Sequence, residues 1–308
     1  MTTVRIRLLW HKQAQFAGFL LAEKLGLARK KGVEIVCEGL DFNMKHVAAV
    51  LSGATQMSVA SPAHILESRA PEKLRFLLTI QQESPLVYPA RKARGIARPT
   101  DLKGGKIGVW PGHEDLELRW MLQRAGLGPD AVERIAMPDT VGPFLKDELV
   151  SAQMTNYHEL HVVEKALGHD ALTIFSARDY DCSLIKDGLV VARDFAAEQP
   201  EAVQAVVDAV LEGWTIAFTE PDRAIDACRD ARPDMSVEEH QQQLADIRAL
   251  ALRGATLTEG LGYPDPRHVT RAAQAMAEVE DKKVDHTDTL DPRFWRAAPE
   301  AFRKRSWA

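Results

Sequence analysis

Apolar positions in the first ninety residues follow two alternating periods. Runs at 4–10, 33–37, 55–60 and 74–80 are rich in aliphatic and β-branched residues and have the length of strands. Between the first two, residues 14–29 place Phe16, Phe19, Leu20 and Leu27 on one helical face and Glu23, Lys24, Arg29 and Lys30 off it, with Gly32 as the stop signal. Residues 44–51 and 62–68 supply two further helices, so the segment predicts successive βαβ units.

The pattern breaks at Tyr88-Pro89-Ala90-Arg91-Lys92-Ala93-Arg94-Gly95, which is basic and rich in breakers and is expected to cross from one lobe to another. Alternation then restarts, predicting strands at 106–110, 132–136, 151–154 and 171–175 and helices at 114–125, 142–148 and 156–166. Two extended pieces, 183–185 and 189–192, lead into a helical C-terminal third. Its strongest helix begins at Pro200 and sets Val203, Val206, Val207, Val210, Leu211, Trp214 and Phe218 on one face up to Thr219. Helices at 221–230, 236–252 and 266–280 follow, and the aromatic tail after Asp281 is expected to pack back on the body.

Composition bounds this picture. At 308 residues and 45% apolar content the chain exceeds what one core usually holds, which predicts two packed units. A formal charge of −5, from 39 basic and 44 acidic residues, lacks the one-signed field of a nucleic-acid partner. The most apolar run, Phe16–Ala22, is far short of the roughly 20 residues of a membrane span. Met1-Thr2-Thr3 leads directly into the first strand with no signal-peptide pattern. The expectation is a cytoplasmic protein if Met1 is the native start, and a periplasmic or lipid-anchored extracytoplasmic one if a signal was removed. Cys37, Cys182 and Cys228 form no CxxC pair and read as reduced structural thiols.

In open parallel sheets ligands bind beyond the carboxyl ends of strands, where helix N-termini also direct unpaired N–H groups. Those junctions carry Trp10, His11, Gln15 and Phe16; Ser61 and His64; Gln82; Gly112, His113 and Glu114 beside Trp110; and Asn156, Tyr157 and Glu159. Rings supply stacking area and the amides, hydroxyls and carboxylates supply edge contacts, a set suited to a flat polar solute. Each junction alone also has a helix-starting explanation, such as Ser61 as cap before Pro62. Asp181 is a further candidate that competes with a turn-capping role. His158-Glu159-Leu160-His161 lacks the i, i+4 histidine spacing of a zinc motif, and no P-loop, GxSxG or GxGxxG stands in the required context. No metal set, cofactor site or nucleophile is therefore expected.

Four stretches carry a family resemblance: Gln13-Ala14-Gln15-Phe16-Ala17-Gly18-Phe19, Gly53-Ala54-Thr55-Gln56-Met57-Ser58-Val59-Ala60-Ser61-Pro62, Asp101-Leu102-Lys103-Gly104-Gly105-Lys106-Ile107-Gly108-Val109-Trp110 and Gln153-Met154-Thr155-Asn156-Tyr157-His158-Glu159-Leu160. On them the chain resembles the thiamine-precursor and riboflavin-binding branch of the type II solute-binding proteins of ABC importers. The yeast-type hydroxymethylpyrimidine-phosphate synthase is related to that branch. The resemblance implies a two-lobed, type II periplasmic-binding-protein-like α/β fold with a ligand cleft between lobes. Lobe I is expected from 1–90 plus 186–308 and lobe II from 91–185. It also implies binding of an N-heterocyclic small molecule and its presentation to an ABC permease, the ligand favouring a closed state through hinge motion at the crossovers, and a monomer is expected. The synthase's cofactor-binding lysine would fall at Ala60 and its active-site histidine at His64, while of its cysteine motif only Cys182 is present. Ala60 cannot form a Schiff base. Leu9 stands where relatives carry Asp or Asn. The rival expectation is a cytosolic enzyme on the same fold, with His11, His64, His113 or His158 paired to Glu114 or Glu159 as general base.

Overall fold

The computed structural model describes residues 1–112, 114–304 and 307, and the chain divides into two units. The first comprises Met1–Glu83, Ile185–Ala273 and Asp285–Ala308; the second comprises Ser84–Leu184 and Gln274–Val284. From the N-terminus the chain forms β1 (Thr2–Arg7), α1 (Ala17–Lys24), β2 (Val33–Glu38), α2 (His46–Leu51), β3 (Met57–Ala60), α3 (Pro62–Glu67) and β4 (Leu74–Thr79). The second unit holds β5 (Leu86–Arg91), β6 (Lys106–Val109), α4 (Leu116–Arg124), β7 (Glu133–Ala136), α5 (Val141–Leu145), β8 (Ser151–Ala152), β9 (Met154–Thr155), α6 (Glu159–Leu167) and β10 (Leu172–Phe175). The chain then continues through β11 (Gly188–Ala192), α7 (Arg193–Glu198), α8 (Pro200–Thr219), α9 (Pro221–Ala231), α10 (Val237–Ala251), α11 (Pro266–Glu280), α12 (Arg293–Ala297) and α13 (Glu300–Arg303).

In the first unit the strand order is β2-β1-β3-β11-β4. Strand β1 pairs in parallel with β2 and β3, so both of those strands end on the same side as Trp10. Strand β11 enters antiparallel between β3 and β4, with Gly188 opposite Ala60 and Thr79. The hydrophobic cluster of Val47, Val50, Ala60, Ile65, Leu74, Phe76, Ile185 and Val190 belongs to this unit. Helices α1 and α8 meet where neither has a side chain to interpose. A Cβ on Gly213 would come within 2.1 Å of the Gly18 carbonyl oxygen, and one on Gly18 within 2.3 Å of the Trp214 ring. Helix α8 is 20 residues long with a mean hydropathy of 1.2, enough by length and composition to cross a membrane, yet 78% of that window is buried inside the fold.

In the second unit the order is β10-β5-β8-β6-β7, with β9 also paired to β5. Strand β5 runs antiparallel to β8, β9 and β10, whereas β6 is parallel to β7 and β8. Its core is Val87, Phe144, Leu149, Ala152, Met154, Leu160, Val163 and Leu172. Glu117, fully buried in α4, accepts hydrogen bonds from Ser84 Oγ at 2.9 Å and the Leu184 N–H at 2.7 Å. One carboxylate thus ties together the entry and exit of the inserted segment.

Three elements differ from the sequence pattern. Residues 88–91, the start of the expected crossing, instead end a strand, Leu86–Arg91, in which Pro89 faces Ile174. The helix expected over 14–29 is α-helical only to Lys24, because Gly26 adopts φ 61° and turns the chain. The strand expected at 151–154 is split at Gln153, whose side chain accepts from the Trp110 N–H at 3.3 Å and donates to the Glu114 carbonyl at 3.0 Å. In addition, residues 274–284 group with the second unit. There Glu278 accepts from Trp120 Nε1 at 2.6 Å, and this bond, with Gln274 and Arg124, holds its carboxyl below the usual range.

Candidate functional site

In the first unit the segment after β1 separates an exposed aromatic edge from a buried amide network. Trp10 is half-buried, and His11 meets it edge-to-face at 5.1 Å. Burial and the nearby Arg232 lower the pKa of His11, so its imidazole is neutral near pH 7. Phe42, from the segment after β2, meets Trp10 at 6.1 Å and 85°.

Gln13, Gln15, Gln81, Asp187 and Gln243 are buried behind this edge. Gln15 Nε2 and Gln81 Nε2 both donate to Asp187 Oδ2, each at 2.9 Å. Gln13 Nε2 donates to Gln15 Oε1 at 3.1 Å, and Arg232 donates to Gln13 Oε1 at 3.1 Å. The Gln15 N–H is received by Gln243 Oε1 at 2.9 Å. Gln15, expected at a ligand edge, thus has both ends of its amide engaged by protein. Phe16 is fully enclosed in the core and presents no surface to a solute, a correction to its expected contact. Neither Asp187 nor Gln243 was expected from sequence.

After β3, Ser61 and His64 form a reciprocal cap on α3. Ser61 Oγ accepts from the His64 N–H at 3.2 Å, and His64 Nδ1 accepts from the Ser61 N–H at 3.1 Å. The proton of a neutral His64 therefore resides on Nε2. The His46 ring lies 4.4 Å from that of His64, and both residues are buried. Paired imidazoles are a donor type for transition metals, although two nitrogens need further ligands to complete a centre. Gln82, expected to face a ligand, is instead held within the first unit. Its amide donates to the carbonyls of Thr79 and Tyr263 at 3.3 and 3.2 Å and receives His268 Nε2 at 3.3 Å. Burial lowers the pKa of His268 to about 4, so His268 is the neutral donor in that contact.

In the second unit Gly112 is exposed at φ 88°, a conformation open to glycine, and Trp110 and Glu114 are half-buried. His113 lies outside the described residues. Asn156 is anchored through its N–H to the Pro85 carbonyl at 2.9 Å, while its Oδ1 is buried with no hydrogen-bond partner among the described residues. Tyr157 is buried at 4% exposure. The Glu159 carboxylate accepts from both the Thr155 N–H at 2.9 Å and Thr155 Oγ1, so it joins β9 to the start of α6. Asp181 is exposed at φ 53° and closes the turn 177–180. Cys37, Cys182 and Cys228 are buried and form no disulfide with one another; burial raises Cys37, and raises Cys228 to about 12, well away from thiolate chemistry.

The geometry can be set beside known proteins. The family model described as NMT1/THI5 like matches residues 13–224. A riboflavin-binding protein, RibY, of Chloroflexus aurantiacus is 24% identical over 276 residues, covering 85% of this chain and 76% of that protein. A zinc-bound ligand-binding component of an ABC-type import system from Staphylococcus aureus superposes with a TM-score of 0.73 at 12% identity, covering 97% and 99% of the two chains. The periplasmic aliphatic sulphonate-binding protein SsuA of Escherichia coli also gives 0.73, at 16% identity and over 95% and 93%. The fold is thus the periplasmic-binding-protein-like α/β fold with two mixed sheets.

Proposed function

The chain belongs to the NMT1/THI5-like family, and from that premise we propose that it is the solute-binding component of an ABC importer for an N-heterocyclic small molecule, of thiamine-pyrimidine-precursor or flavin type. The observation that carries this reading is the family match over residues 13–224, supported by the similarity to a riboflavin-binding protein over most of both chains. Trp10 supplies a ring face and the neutral His11 an edge donor. His64, in the same unit, adds a polar contact. Ser61 holds the His64 ring through their reciprocal cap. In the second unit, Asn156 Oδ1 is buried with no hydrogen-bond partner among the described residues, and leaving such an atom unmatched costs about 1–3 kcal/mol.

A thermal-shift screen tests the reading. A ligand that binds only the folded chain raises Tm with its excess over Kd. Hydroxymethylpyrimidine, its formylamino analogue, thiamine and riboflavin form the panel, with mass spectrometry of each mixture. A clear shift with one of them and no product supports a carrier. A product that disappears in His64→Ala supports the enzyme alternative, and the absence of any shift removes the heterocycle assignment.

A further inference from the structure

We propose that Phe42 is a solute-selecting residue which, with Trp10, forms a right-angled aromatic corner that accepts a flat, uncharged aromatic ring in preference to an aliphatic anion. The proposal deepens the solute-binding reading above and rests on it. An isolated exposed Phe is ordinary on a protein surface and needs no explanation. Phe42 is set apart by its position and its partner. It is 58% exposed, follows β2 at that strand's carboxyl end, and stands at 85° to the half-buried ring of Trp10, which follows the parallel neighbour β1. This is the end of a parallel sheet at which ligands bind.

The two segments are fastened to each other by backbone. The Leu8 N–H donates to the Glu38 carbonyl at 2.7 Å and the Leu40 N–H to the Trp10 carbonyl at 3.1 Å. Asp41 Oδ1 accepts from the Asn43 N–H at 2.9 Å, turning the chain around Phe42. Perpendicular aromatic walls suit a planar ring, which can lie face-on to one and direct its electropositive edge at the other. An alkyl chain gains no such pairing.

Charge around the corner points the same way. Lys12 faces Glu23 at 3.7 Å, and Arg232 is paired with Asp234 at 3.2 Å and donates to Gln13. His11, the third ring, is kept neutral by burial and by Arg232. A sulfonate or carboxylate entering here would meet cations already committed to carboxylates.

Calorimetric titration of the full chain with lumichrome, hydroxymethylpyrimidine and ethanesulfonate tests this, using wild type, Phe42→Ala and Phe42→Tyr. The expected result is that wild type binds at least one heterocycle more tightly than ethanesulfonate. Phe42→Ala should weaken that heterocycle tenfold or more without lowering Tm, and Phe42→Tyr should return it to within threefold of wild type. Heterocycle affinity unchanged in Phe42→Ala overturns the role of Phe42 while leaving the solute-binding reading intact. Preference of wild type for ethanesulfonate, or no heterocycle binding at all, overturns both.

Discussion

Asp187 shows how much can depend on a residue with no local signature. It precedes β11, and the two amides that reach it come from 172 and 106 positions away in sequence. Nothing in the segment Ile185-Lys186-Asp187-Gly188 marks it, because its role exists only once β11 has inserted between β3 and β4. Asp187→Ala would leave the Gln15 and Gln81 amides buried without their acceptor, and urea unfolding should report a loss of about 2–4 kcal/mol. His268 supplies a second prediction. Its folded pKa of about 4 lies below the unfolded value near 6.5, so between those pH values the unfolded chain binds a proton that the folded chain refuses. Stability contributed by keeping His268 neutral is therefore complete above about pH 6.5 and declines as the pH falls toward 4. Midpoints of urea unfolding at pH 7.5 and 5.0 should separate in wild type and move closer together in His268→Asn. At this scale the sequence reveals residue types at strand ends, including Trp10, Ser61 and Tyr157. It does not reveal which side chains the protein has already engaged, as with Gln15, Gln82 and Glu159.

Elements are more legible, and the reason is periodicity. Helix α8 runs over Pro200–Thr219 as its apolar face and N-terminal proline predict, and α11 over Pro266–Glu280 likewise. Legibility fails where the deciding interaction is remote. Strand β5 carries Pro89 and ends in basic residues, yet it is held from both sides by β10 and by β8 and β9. Gln153 breaks a predicted strand only because the backbone of 110–114 is there to receive its side chain. The crossing of α1 and α8 is a similar case: Gly18 and Gly213 look like ordinary helix-weakening residues until the two backbones are seen to touch. Gly213→Ala should cost about 2–3 kcal/mol, since the blocking atom is a carbonyl oxygen that cannot swing aside. At an exposed cap the effect is smaller. Ser236→Ala, which removes the reciprocal cap of Ser236 and Glu239 on α10, should cost about 1 kcal/mol in the same assay.

For the whole molecule, the α/β class and the relation to solute-binding proteins are legible from alternating strands and helices together with four short stretches of sequence. The solved structures agree with the fold class, and the family match and the similarity to a riboflavin-binding protein agree with the relation. Solute identity is less legible, because it is set by a few side chains whose spacing along the chain carries no rule. Phe42 is the example: it sits in a polar segment between β2 and α2, and only its angle to Trp10 gives it significance. Fold does not determine function on such a scaffold, so the decisive question is whether a bound heterocycle leaves unchanged. The most direct measurement is equilibrium binding of the best solute from the thermal-shift panel, with the bound molecule then released and weighed by mass spectrometry. Saturable one-to-one binding and recovery of the same molecule are expected. Recovery of a converted product, or failure of every heterocycle to saturate the chain, would contradict a carrier role.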